Sequence, residues 1–118
     1  SVRVEVTKIV QTVRRLSPTA TIVMAGYWNV FADGESASGL GPSYAVVSDD
    51  VTRWFNDTIR EIAAATNSVY ADVYTPFKTA QQGITALLAE DGDHPNAAGH
   101  ALLATSFLAA LGDTARIL

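Results

Sequence analysis

Between Thr21 and Tyr27 the chain reads TIVMAGY, a short and nearly continuous apolar run. A strand wet on one face alternates apolar and polar residues. A continuous run instead predicts a strand covered on both faces, the pattern of a parallel sheet. Parallel strands cannot be joined by a tight turn, so each needs a long crossover, usually a helix.

Helical patterns flank this run. Val2, Val6, Ile9, Val13 and Leu16 fall at helical spacing, with Lys8, Gln11, Arg14 and Arg15 on the other side. Val2, Val4 and Val6 also alternate, which leaves a short strand start open. Ser17-Pro18 ends the element, because proline disfavours helical geometry in the residue before it. Asn29 to Pro42 is a long connection rich in Gly, Ser and Asp, of a kind that in small domains is often functional. Tyr44, Val47, Val51, Trp54, Phe55, Thr58, Ile62 and Ala65 mark one face of a long amphipathic helix, in which Trp54 and Phe55 read as core residues. Asn67-Ser68 stops it. Val69 to Tyr74 is the second predicted strand, and Pro76 follows. Ala80 to Ala89 carries a weak helical signal at best. The last helix starts near Asn96, a suitable N-cap, and runs to about Leu111 with Gly112 as its stop. Leu102, Leu103, Phe107, Ala110 and Leu111 form its apolar face.

The order is helix, strand, helix, strand, loop, helix. It predicts an α/β layer with a parallel sheet and right-handed crossovers. Two strands are fewer than the roughly four to six of an ordinary open sheet. The topology therefore looks like the second half of a larger doubly wound sheet, with an exposed edge prone to self-association or domain swapping.

Composition narrows the function. Apolar residues at 48% and charged residues at 17% allow a packed core, so disorder is not expected. A net charge of −4, with Arg14-Arg15 as the longest basic run, argues against a phosphate-binding footprint and hence against nucleic acid. The absence of cysteine removes disulfides, thiol nucleophiles and thiolate metal sites. It fits cytosolic and secreted proteins alike; a secreted or cell-envelope location is the preferred reading. No apolar run approaches the about 20 residues needed to span a bilayer, and no signal-peptide pattern is visible.

The segment richest in chemistry is Asp91-Gly92-Asp93-His94-Pro95-Asn96-Ala97-Ala98-Gly99-His100, between the last strand and the last helix. In open α/β sheets such loops border the ligand crevice. An aspartate three residues before a histidine, across a turn, can accept from imidazole Nδ1 and leave Nε2 to take a proton from a nucleophile. Spacing alone leaves two alternatives open. One is a polar turn with a helix cap and an exposed histidine. The other is a metal site using Asp91, Asp93, His94 and His100.

This block resembles the C-terminal signature of the SGNH/GDSL hydrolase superfamily, Asp-x-x-His followed by Pro-Asn and a glycine. Asp91 and His94 match the catalytic aspartate and histidine of that pattern, and Pro95, Asn96 and Gly99 its usual followers. Pro18 to Phe31, Asn56 in the long helix, and Tyr70 to Tyr74 extend the likeness over nearly the whole chain. The resemblance implies a three-layer α/β/α, flavodoxin-like fold, of which residues 1–118 form the C-terminal part of a single domain. It implies a serine esterase, lipase or deacetylase acting on a small ester or an acetylated carbohydrate, without a metal or organic cofactor.

The family's Gly-Asp-Ser block and its Gly-x-Asn-Asp block are both absent from this sequence. The expectation is therefore that the nucleophile and the oxyanion-hole Gly and Asn lie in an N-terminal half, carried on a separate chain or segment. By itself this chain is expected to be inactive. Ser36, Ser38, Ser43, Ser48, Ser68 and Ser106 lack the strand-to-helix setting of a nucleophile and read as structural. The rival reading is a truncated or degenerate module of this type that binds a ligand or partner without catalysis. Tyr27, Trp28, Asn29 and Phe31 follow the first strand and either line a substrate pocket or cap the core. Asp93 reads as a solvated loop carboxylate beside His94, and His100 as structural or rim-exposed.

Overall fold

A computed structural model describes residues 1–30 and 39–117, with side chains described up to residue 112. Phe31, Ser36 and Ser38 lie outside the described residues. The elements are α1 (Val2–Leu16), β1 (Val23–Ala25), α2 (Pro42–Ala65), β2 (Val69–Ala71), α3 (Tyr74–Lys78), a 3₁₀ turn (Ile84–Leu87) and α4 (Ala97–Ile117).

The first element is helical from Val2 onward, with Ser1 accepting from Val4 N–H as its cap, so the strand start is overturned. Arg14 then donates to Ala20 O at 2.6 Å and to Asn67 O at 2.9 Å, tying the helix end to both inter-element turns.

β1 and β2 pair in parallel, with Val23, Met24 and Ala25 opposite Val69, Tyr70 and Ala71. Both strands are shorter than the apolar runs that contain them. β1 ends because Tyr27 turns its N–H and C=O to the Asn56 side chain rather than to another strand. β2 ends because Tyr74 opens α3, whose first turn receives Asp72 Oδ1 on Thr75 N–H.

Successive strand residues face opposite ways, which divides the interior in two. On one face Met24 packs with Val10, Ile59, Ile62 and Ala63, joined by Tyr70. On the other, Ala25 borders a cluster of Trp28, Val73, Phe77, Ile84 and Leu88, with Leu102 and Leu103 of α4. The result is a three-layer α/β/α arrangement with α1 and α2 on one side and α4 on the other.

The expected apolar face of α2 is buried only in the second half of the helix, at Thr58 and Ile62. Asn56, Thr58, Ile59, Ile62 and Ala63 are buried, whereas Val47, Val51 and Trp54 are exposed, Trp54 by 63%. Trp54 is thus no core residue; Phe55 is half-buried against the α1/α2 cluster. The physical reason lies in the turn after β1. Its backbone and Asn29 need polar partners, and Ser48 and Asn56 supply them from α2, which fixes the helix rotation. Gly112 does not stop α4 either. It lies outside the left-handed region that a glycine stop requires, and the helix continues to Ile117.

The helix rotation has a direct check. Ile62→Ala should lower stability by about 3 kcal/mol through cavity formation, and Trp54→Ala by no more than about 0.5 kcal/mol, read from urea denaturation.

Candidate active site

Asp91 and His94 sit on the loop that joins the 3₁₀ turn to α4. Gly92 takes a φ of 73°, a left-handed value that L side chains resist, and so turns the chain between them. Asp91 Oδ1 then accepts from Asp93 N–H at 3.1 Å and from His94 N–H at 3.0 Å. Its other oxygen, Oδ2, lies 2.6 Å from His94 Nδ1. One carboxylate therefore shapes the turn and orients the imidazole together.

The electrostatics follow. The His94 backbone N–H, then its ring, then the Asp93 N–H hold the Asp91 carboxyl down to about 2. The hydrogen bond and charge of Asp91, with a smaller push from Asp93, raise His94 above its usual imidazole value. Asp93 Oδ1 lies 3.8 Å from Nδ1, so its contribution is charge rather than a hydrogen bond. The His94 side chain is 75% exposed, and Nε2 has no hydrogen-bond partner among the described residues.

The flanks of the pair are fixed by backbone pairing. Ala89 N–H donates to His94 O at 2.7 Å, and Leu88 and Pro95 form an antiparallel bridge. Asn96 uses every polar group it has. Its N–H donates to Leu87 O at 2.9 Å, its amide Nδ2 to Ala86 O at 2.9 Å and Leu88 O at 3.0 Å, and its Oδ1 accepts from Gly99 N–H at 3.0 Å. The expected cap is present, and the same side chain also clamps the 3₁₀ turn. Gly99 is needed for that contact, since a Cβ there would stand 2.3 Å from Leu87 O.

Among the described residues, no group of three or more His, Asp or Glu side chains is arranged to hold a metal ion. His100 is exposed on the first turn of α4. Ser48 Oγ donates to Ala45 O and accepts from Asn29, Ser68 pairs with Thr66, and Ser106 bonds Leu102 O.

Tyr27, Trp28 and Asn29 form a second group, at the carboxyl end of β1. Trp28 and Asn29 are 6% and 1% exposed, while Tyr27 is 45% exposed. Among the described residues, neither Tyr27 nor Trp28 is hydrogen-bonded to Asp91 or His94. The link is packing, because Trp28 shares its cluster with Leu88, which pairs with Pro95. Residue order marks Asn56 only as part of the family likeness and Asp49 only as a solvent-side residue of α2, without the contacts that either one makes. Asn56 holds the backbone of Tyr27, and Asp49 accepts from Tyr74 Oη at 2.6 Å and Lys78 Nζ at 3.1 Å, binding α3 to α2. A polar residue interrupting the apolar series Phe55, Ile59, Ile62 was the available signal for Asn56.

The family profile described as the GDSL-like lipase/acylhydrolase family matches residues 1–102, a stretch that contains Asp91, His94 and all of the clamp around them. The chain belongs to this family. Solved structures agree on the fold. The esterase domain of the ZfL2-1 ORF1 protein from a zebrafish retrotransposon superposes with a TM-score of 0.66 at 20% identity, covering 95% of this chain and 58% of that one. A catalytic mutant of Axe2, an acetylxylan esterase from Geobacillus stearothermophilus, gives a TM-score of 0.67 at 22% identity, covering 93% of this chain and 45% of that one. This GDSL-family chain thus spans about half the length of the solved structures it resembles. No curated protein matches it.

Two outcomes test the geometry. Asp91→Asn should bring the His94 pKa down toward its ordinary value, read by NMR titration of the ring. The sign of the pH effect follows from the two shifts. The Asp91 contribution to stability is present above the usual carboxylate range and fades as pH falls toward about 2. The His94 contribution is full below an ordinary imidazole pKa and is lost as pH rises through the raised value. In Asp91→Asn both dependences should disappear. Gly99→Ala should cost about 1–3 kcal/mol by overpacking against Leu87 and broaden the His94 ring signals.

Proposed function

We propose that this chain supplies the acid–base half of a serine ester hydrolase site. The observation that carries the reading is the 2.6 Å contact between Asp91 Oδ2 and His94 Nδ1, on an exposed imidazole whose other nitrogen has no partner among the described residues. Asp91 holds the tautomer and stabilises the imidazolium. Nε2 takes the proton of a serine hydroxyl as its oxygen adds to the ester carbonyl. It returns that proton to the departing alkoxide, leaving an acyl-serine. A water then adds to the acyl carbonyl, gives its proton to Nε2, and the serine leaves with that proton as the acid is released. The raised His94 pKa suits it to the acid step as well as the base step.

The serine and the oxyanion donors are assigned to an N-terminal segment of the same domain, with residues 1–118 its C-terminal part. Several observations favour this. Gly-Asp-Ser and Gly-x-Asn-Asp are missing from the sequence. Among the described residues, each strand of the two-stranded sheet is paired on one side alone. Val2, Ile9, Val13 and Leu16 of α1 are at least 40% exposed, an apolar strip of the kind a neighbouring element covers. The catalytic mutant among the structural relatives carries a serine-to-alanine change. The substrate class is a carboxylic ester, and an acetylated carbohydrate fits the acetylxylan esterase relative. No helix among the described residues is long and apolar enough to cross a membrane.

The absence of the serine block equally favours a second reading, a module that binds without catalysis. Turnover of p-nitrophenyl acetate by the protein that carries this chain decides between them. His94→Ala should reduce kcat by about a thousandfold or more. Equal rates in the two proteins would sink the catalytic assignment, and saccharide binding without turnover would establish the module.

A further inference from the structure

Tyr27, Trp28 and Phe77 form a column of stacked rings. The Tyr27 and Trp28 centroids are 4.5 Å apart with planes inclined by 16°, and those of Trp28 and Phe77 are 4.7 Å apart at 14°. Phe77 is fully buried and Trp28 nearly so, while Tyr27 keeps 45% of its surface in solvent. The column has a buried base and an open end. Among the described residues, no further ring stacks on Tyr27.

The open ring is held before any ligand arrives. Tyr27 N–H donates to Asn56 Oδ1 at 2.7 Å, and Asn56 Nδ2 donates back to Tyr27 O at 2.8 Å. Asn56 is itself 97% buried, being 3% exposed, so this amide has little freedom to turn away. The preceding Gly26 is confined as well, since a Cβ there would meet Tyr70 Oη at 2.3 Å and Asn56 Oδ1 at 2.8 Å. A tyrosine fixed at its backbone and on one ring face loses little entropy when a ligand covers the other.

The neighbourhood is polar. Ala25 pairs with Ala71, so the residues after β2 come up beside those after β1. There Asp72, Tyr74 and Thr75, with Asn56, Tyr70 and Arg60, border a cleft of about 150 Å³. Asn56, which holds Tyr27, is also a wall of this cleft, and an open tyrosine face joined in this way to carboxylate, hydroxyl and guanidinium groups suits a ring with one apolar C–H face and a rim of hydroxyls. That description is a saccharide.

We propose that Tyr27 is a stacking platform for a saccharide ring of the substrate, and that Asn56 is the positioning residue that holds it. The proposal rests on the ester-hydrolase reading and names the alcohol side of its substrate, an acetylated sugar.

The test compares wild type, Tyr27→Phe and Tyr27→Ala on two acetyl esters, xylose tetraacetate with a sugar ring and ethyl acetate with none. Tyr27→Ala should raise KM for the sugar ester about tenfold, leave its kcat little changed and affect ethyl acetate hydrolysis far less than hydrolysis of the sugar ester. Tyr27→Phe, which keeps the ring, should retain the wild-type KM. Equal losses on both esters, or equal losses in Phe and Ala, would overturn the platform. Saturation-transfer NMR with xylobiose reads contact without turnover. Wild type should transfer saturation to the sugar C–H protons, and Tyr27→Ala should not. Xylobiose contact through Tyr27 with no ester turnover retires the hydrolase reading and keeps the platform. Ester turnover with no xylobiose contact and an unchanged KM does the reverse.

Discussion

The parallel pairing of Val23–Ala25 with Val69–Ala71 is the constraint on which everything else hangs. Three residues from each strand separate two apolar clusters, one under α1 and α2 and one under α4. Parallel direction obliges α2 to run the full length of the sheet as a crossover. It also brings the residues after both strands to one end of the molecule. Tyr27 to Asn29 and Asp72 to Thr75 are neighbours for that reason.

Short strands leave backbone groups to satisfy beyond their ends, and buried ones must find partners. Two asparagines solve this in the same way. Asn56 receives and donates at Tyr27, standing in for a further strand residue. Asn96 donates to the carbonyls of Ala86 and Leu88 while capping α4 through Gly99. In each case a side-chain amide satisfies backbone groups that the strand ladder does not reach, after β1 for Asn56 and at the 3₁₀ turn before α4 for Asn96. The Asp91/His94 turn inherits its rigidity from the second clamp, and the aromatic column from the first. The shared cluster of Trp28, Phe77 and Leu88 packs between the aromatic column and the Asp91/His94 turn.

Much of this was legible from residue order. The TIVMAGY run announced a covered strand, the Val2 to Leu16 spacing a helix, and Asp91-x-x-His94-Pro-Asn a histidine oriented by its own turn. The last of these is local, since the reach from Asp91 to the His94 ring is set within four consecutive residues. What escaped was that the first half of the expected α2 face stays exposed, although Thr58 and Ile62 on it are buried. Val47, Val51 and Trp54 look like a core face because hydrophobicity is the strongest periodic signal, yet they face outward. The helix instead turns Asn56 and Ser48 inward, because unpaired backbone and amide groups after β1 cost more than an exposed apolar stripe.

The sequence by itself determined the α/β class and the order of the long helices and the two strands, but not α3, and it placed Asp91 within reach of His94, because each depends on periodicity or on contacts between residues close in the chain. Only the tertiary structure decided where the strands end, which face of α2 is buried, and that Tyr27 crowns a column based on Phe77. Most of those features rest on partners distant in the chain, 29 positions apart for Asn56 with Tyr27 and 49 for Phe77 with Trp28. No local pattern specifies such pairs; they form when the crossover closes and each buried polar group takes the partner that packing leaves within reach.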